Sequence, residues 1–149
     1  VGGAHAETAV DAASGQDVDL GRDRPVERAL EAFVEILRGH LEPDESIFDA
    51  AVRETLEETG WQVTLTAFIG AYQWTAPETG QHYLRMAFAA LPQTHYPERP
   101  LDQGILAAHW LSPGEIMDLN ERHRSPLVWR VINDYLSGQR SPLGVIQAL

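Results

Sequence analysis

The chain contains no cysteine, which excludes disulfides, zinc–thiolate sites and cysteine nucleophiles together and suits a reducing compartment. Positive charge is scarce: 11 Lys and Arg stand against 22 Asp and Glu, a formal net charge of −11. No basic cluster offsets that balance, so neither nucleic acid nor an anionic membrane surface is an expected partner. No stretch approaches the roughly 18 consecutive apolar residues of a membrane span, and residues 1–16 carry neither the basic nor the apolar region of an export signal. The cytoplasm is therefore the expected location. The same negative charge repels a small phosphorylated substrate, so such a ligand demands a bound cation to bring it in.

What is present is a globular composition, 44% hydrophobic with four tryptophans in 149 residues, enough for one domain with a real core. Residues 1–25 are rich in Gly, Ala and Asp without periodicity and read as a flexible arm; residues 26–149 read as a single domain. Val26, Leu30, Phe33, Val34 and Leu37 recur at helical spacing and predict an amphipathic helix over 26–37. After a break at 39–43, Asp44 or Ser46 is placed to cap a second helix, with Ile47, Phe48, Ala51, Val52 and Leu56 toward a core and Gly60 ending it in the left-handed region. Alternation predicts a strand over 61–69, a short one over 71–74, and another over 83–90 whose Leu84, Met86 and Phe88 share a face. Residues 92–100 read as a loop and 105–111 as a further strand. Ser112-Pro113-Gly114-Glu115 has the form of a capping box for a short helix reaching about Leu119. A last helix opens at Ser125-Pro126, carries Leu127, Val128, Val131, Ile132, Tyr135 and Leu136, and stops at Gly138.

The chemistry concentrates between Gly39 and Trp61. On the second helix Glu54, Glu57 and Glu58 are related by i, i+3 and i+4, so three carboxylates share one face. Their repulsion calls for a counterion, and Mg²⁺ suits a few carboxylates completed by water and substrate phosphates. Arg53 is placed to hold one of these carboxylates, or Glu45, through a bidentate hydrogen bond. Gly39 lets the backbone approach a metal closely.

These residues resemble the Nudix box, G-x5-E-x7-R-E-U-x-E-E-x-G-U, at Gly39, Glu45, Arg53, Glu54, Glu57, Glu58, Gly60 and Trp61. Thr55 departs from it, standing where the pattern prefers an aliphatic. Solvated acidic helices are common, but seven fixed identities, each about 5–10% frequent by composition, make coincidence far rarer than about one in a million. The segments Gln73-Trp74-Thr75-Ala76-Pro77, Trp110-Leu111-Ser112, Arg124-Ser125-Pro126-Leu127-Val128 and Ser137-Gly138-Gln139-Arg140 are similar to the NudJ-type phosphatase branch.

The resemblance implies an α/β fold, a Nudix-like α/β/α sandwich with a mixed sheet, its N-terminal strands here replaced by the arm and a helix. It implies Mg²⁺-dependent hydrolysis of a pyrophosphate linkage in nucleoside di- or triphosphates or a thiamin-pyrimidine pyrophosphate, with Mn²⁺ an alternative cofactor, in a monomer or homodimer. Metal ligands would be Glu54, Glu57 and Glu58 with Gly39; Arg53 joins the glutamates in the catalytic set, and Glu54 is the candidate base. Asp102 is a further acidic candidate, equally a solvated loop residue. Trp74 is a candidate to stack on a base, although a strand tryptophan also fits a core. Arg85, Arg124 and Arg140 are candidate phosphate contacts, each otherwise a surface cation. His82 and His109 show no metal spacing.

Two alternatives follow from the mismatch upstream of Gly39: a catalytically impaired Nudix-like binding module, or a truncated or misread chain whose residues 1–38 are not the native ones. A third is an acidic interaction protein docking through the 26–37 helix.

Overall fold

The computed structural model describes residues 41–118 and 126–149, together with the backbone of two upstream strands, β1 (Thr8–Ala9) and β2 (Phe33–Leu37). Then follow α1 (Ile47–Thr59), β3 (Trp61–Thr75), β4 (His82–His95), β5 (Trp110–Leu111), α2 (Pro113–Asp118), α3 (Leu127–Leu136) and a 3₁₀ turn at Leu143–Val145.

Helix α1 begins and ends as its local chemistry dictates. Ser46 is the N-cap, its Oγ accepting from the Asp49 N–H at 3.1 Å, and Gly60 closes the helix at φ 76°, its N–H donating to the Leu56 carbonyl. A side chain at Gly60 would be strained there and would press to 3.2 Å on the Tyr96 carbonyl oxygen.

The main sheet has the order β2-β4-β3, and β1 pairs with β5 in a second ladder. All these pairings are antiparallel. Central β4 is covered on both faces. Phe88 meets Phe48 of α1 edge-on with ring centroids 6.0 Å apart, while Ala87 and Ala89 on the alternate face pack with Ala67, Ile69 and with Val131 and Tyr135 of α3. Helices thus lie on both sides of the sheet, the α/β layering expected. A smaller core joins Leu111, Ile116, Val128 and Ile132, binding α2 and α3 to β5.

Several expectations are corrected. The predicted helix over 26–37 is a strand at Phe33–Leu37, paired from Phe33↔Ala90 to Leu37↔Met86. Phe33, Val34 and Leu37 satisfy helical and extended spacing alike, and the ladder offered by β4 decides. Within the expected flexible arm, Thr8–Ala9 is a strand paired with Leu111 and Trp110; the rest of that arm lies outside the described residues. The two strands expected over 61–74 are one, β3, with register shifts at Gln62/Val63, Leu65/Ala67 and Phe68/Gly70. Bulges let the strand bend without stopping. Strand β4 runs on to His95 through Pro92, which pairs opposite Val63 at one of these irregularities, where a missing N–H is tolerated. The strand expected over 105–111 shrinks to Trp110–Leu111, the two residues that meet β1.

The final helices match their signals. Ser112 N–H donates to Glu115 Oε2 at 2.7 Å and Glu115 N–H to Ser112 Oγ at 3.3 Å, the reciprocal capping box. Beyond α3, Gly138 turns at φ 91°, and Ser141 exchanges two backbone hydrogen bonds with Phe68, at 2.8 and 2.7 Å. The C-terminal segment is thereby fastened to β3.

Candidate active site on helix α1

The Glu54, Glu57 and Glu58 carboxylates lie in the last two turns of α1. Arg53 organises this end of the helix. Its Nε and Nη2 donate to the two oxygens of Glu45, at 2.7 and 2.9 Å, and its Nη1 donates to Glu57 Oε2 at 3.0 Å. Glu45 also accepts from the Glu42 N–H at 3.0 Å. The guanidinium hydrogen bonds, then the Glu42 N–H, hold the Glu45 carboxyl at about 2, well below its ordinary value. The Arg53 guanidinium is in turn held more firmly protonated, chiefly by its hydrogen bonds to Glu45. Two acids are thus locked to one fork, which fixes the Glu57 rotamer.

Glu54 is buried, 8% exposed, beside fully buried Thr55. Thr55, the departure from the box, keeps its hydroxyl satisfied by donating to the Ala51 carbonyl at 2.7 Å. Thr59 repeats the device on the Thr55 carbonyl at 2.6 Å and accepts from the Trp61 N–H at 3.1 Å, tying helix to strand. The expected core face is shifted accordingly. Ala50, Ala51, Thr55 and Thr59 are buried, whereas Leu56 is half-exposed.

The donor set is one of carboxylate oxygens at i, i+3 and i+4, the type a hard divalent cation takes. Among the described residues, no group of three or more histidine or acidic side chains is gathered to hold a metal ion. Glu57 is turned to Arg53, and bare carboxylates on one face repel one another. The fit to a cation is therefore one of donor chemistry and helical register. Gly39 lies outside the described residues.

Asp102 is brought to this helix by its backbone, its N–H donating to the Glu57 carbonyl at 3.0 Å. The residue types of the loop after β4 carry no sign of that contact, which joins residues far apart in the chain.

The substrate candidates are placed elsewhere. Trp74 stacks on Tyr83 with centroids 5.6 Å apart, and the Arg85 guanidinium lies 5.6 Å from the centroid of the same ring. Arg85 shares the face of Ala87 and Ala89, toward α3, so it and Trp74 lie across the sheet from α1. Arg85, otherwise expected as a surface cation, is buried at 9%, while its neighbour Leu84 on the opposite face is 70% exposed. Next to Arg85, Tyr72 donates to Asp134 Oδ2 at 3.0 Å, and Arg130 grips the same carboxylate at 3.0 and 3.1 Å. Arg140 packs 4.1 Å over the Tyr135 ring and donates to the Tyr135 carbonyl, at the end of α3. Arg124 lies outside the described residues. His82 bonds Thr75 at 2.9 Å near the β3–β4 turn.

This arrangement, an acidic helix packed on an α/β layered sheet with an arginine fork at its base, matches a known family. The NUDIX domain model covers residues 10–130, beginning well upstream of Gly39. "Phosphatase NudJ" of Escherichia coli K12 is 43% identical over 108 residues, 72% of this chain and 69% of that protein; the NudJ of Shigella flexneri gives the same figures. A solved NUDIX hydrolase from Nitrosomonas europaea superposes with a TM-score of 0.73 at 37% identity, covering 80% of this chain and 89% of the other. The chain belongs to the Nudix family. It is a Nudix hydrolase and a homologue of the NudJ phosphatases, in a family whose members generally use divalent metal ions and act on small phosphorylated substrates. Among the described residues no helix is long and apolar enough to cross a membrane.

Proposed function

We propose that the protein hydrolyses a pyrophosphate linkage in nucleoside di- or triphosphates or in a thiamin-pyrimidine pyrophosphate, with Mg²⁺ as cofactor and Mn²⁺ able to replace it. The observation that carries this reading is the Arg53 fork on α1, which locks Glu45 and positions Glu57 within a turn of Glu54 and Glu58.

Glu54, Glu57 and Glu58, with the Gly39 carbonyl, are the proposed metal-holding groups. When bound, the cation supplies charge neutralisation for the diphosphate and lowers the proton affinity of water. Arg53 holds Glu57 in one rotamer. Glu54, buried on α1, is the base that takes the proton of the attacking water on a carboxylate oxygen. Arg124 is kept as a substrate phosphate contact on the family resemblance; Trp74 and Arg85, across the sheet, take no part.

The homology to proteins named phosphatase NudJ supports phosphate-ester chemistry at this site. A panel of nucleoside di- and triphosphates and the thiamin-pyrimidine pyrophosphate, assayed for released phosphate and pyrophosphate with and without Mg²⁺, tests it. Release that requires Mg²⁺ and disappears in the combined Glu57→Gln, Glu58→Gln variant is expected. Equal release by that variant refutes the assignment of the glutamates.

A further inference from the structure

One side of α1 takes no part in this chemistry. At ~100° per residue, Leu56 stands about 160° round the helix from Glu54 and Glu58. There it lines a cavity of about 670 Å³ with Gln62 at the start of β3 and the 95–99 segment where β4 ends. The site is open, with Gln62 and residues 95–99 exposed to solvent.

The walls are of two chemical kinds. Leu56, Tyr96 and Pro97 present apolar and aromatic surface, Gln62, His95 and Arg99 present polar groups, and Glu98 adds one carboxylate beside Arg99. His95 is backed by Trp61, its ring stacked at 4.6 Å and 15°. The Tyr96 hydroxyl donates to Gln62 Oε1 at 3.3 Å, which occupies the amide's acceptor and turns its NH₂ into the group on offer.

Arg99 stands apart from the other described arginines. Arg53 and Arg130 pair with carboxylates, and Arg85 and Arg140 lie over tyrosine rings. Among the described residues Arg99 has no ion pair and no ring, and it is exposed at the cavity. In a chain of net charge −11, it places a cation without an ion-pair partner among the described residues beside the aromatic wall, next in sequence to the exposed Glu98.

The cavity segment is fastened to α1. The Tyr96 N–H donates to the Gly60 carbonyl at 2.8 Å, and the Asp102 N–H to the Glu57 carbonyl at 3.0 Å. Whatever stiffens residues 95–102 therefore stiffens the turn that carries Glu57 and Glu58.

We propose that this cavity is a second ligand site, separate from the glutamate face, for a small heteroaromatic ring bearing a phosphate. The ring lies against Tyr96 and Leu56, the Gln62 NH₂ bonds its edge, and Arg99 takes the phosphate. Occupancy is felt at the Glu57 turn through the two backbone hydrogen bonds. The inference does not require the glutamates to be catalytic.

Adenosine 5′-monophosphate titrated into the full chain in EDTA, followed by calorimetry and by amide NMR, tests it. Saturable binding is expected, with the amides of Tyr96 and Asp102 shifting. Arg99→Ala should weaken it about tenfold or more through loss of the charge-assisted contact, and adenosine or inorganic phosphate alone should bind more weakly. The combined Glu57→Gln, Glu58→Gln variant should bind as the parent does. The proposal is overturned by no saturable binding at millimolar ligand, by unchanged binding in both Arg99→Ala and Gln62→Ala proteins with native circular dichroism, or by loss of binding in the glutamate variant.

Discussion

Arg53 grips Glu45 through two hydrogen bonds, 2.7 and 2.9 Å, and spends its remaining arm on Glu57 at 3.0 Å. A lysine at this position keeps the charge but loses the planar fork, so it cannot hold both acids in register. Arg53→Lys is expected to lower kcat on the order of 100-fold, the scale of about a 1 Å misplacement of a reacting group. Steady-state kinetics on a folded variant reads this directly.

The same fork makes a pH-dependent contribution to stability. The folded Glu45 carboxyl is held at about 2 against an ordinary 4.5, first by the Arg53 hydrogen bonds. A depressed carboxyl stabilises the fold fully above its unfolded value and loses that contribution as pH falls through the folded one. Denaturation of the parent and of Glu45→Gln should thus differ above pH 4.5 and converge as pH falls from 4.5 towards about 2. A constant difference across that range contradicts the clamp.

Tyr72 carries the opposite sign. Burial, the hydrogen bond to Asp134 and the Asp134 charge all hold its phenol protonated above the ordinary 10.0. Its contribution is complete below pH 10.0 and lost as pH rises beyond it. Tyr72→Phe is expected to cost about 1 kcal/mol at neutral pH and to reduce the alkaline fall in stability, measured by urea unfolding.

Thr55 is fully buried, with its hydroxyl on a carbonyl of its own helix. The Ala51 carbonyl keeps its helical partner when that hydroxyl is removed. Thr55→Val is therefore expected to unfold at a denaturant midpoint no lower than the parent's. Gly60→Ala is the contrasting case: at φ 76°, with the new Cβ 3.2 Å from the Tyr96 carbonyl oxygen, it should lose about 1–2 kcal/mol.

What the sequence made legible follows from where the information lies. Ser46, Gly60, Ser112 with Glu115, and Gly138 act within a few residues of themselves, and the helices they bound are found as read. The acidic register of Glu54, Glu57 and Glu58 is likewise a property of one helix. Strand β2 was hidden because its apolar spacing is ambiguous and its partner, β4, lies some fifty residues away, from Leu37↔Met86 to Phe33↔Ala90. Arg85, readable as a surface cation, is buried because α3 covers its face of β4, while the Leu84 end of the other face is left open. The register of Asp102 against Glu57 is a backbone contact, which side-chain identity cannot announce.

The central claim is that the acidic turn of α1 holds a divalent cation. Titrating Mn²⁺ into the parent chain and into Glu57→Gln, Glu58→Gln, with free Mn²⁺ read by electron paramagnetic resonance, addresses it most directly. Uptake by the parent that is lost in the variant is the predicted result; equal uptake by both, or none by the parent, contradicts it.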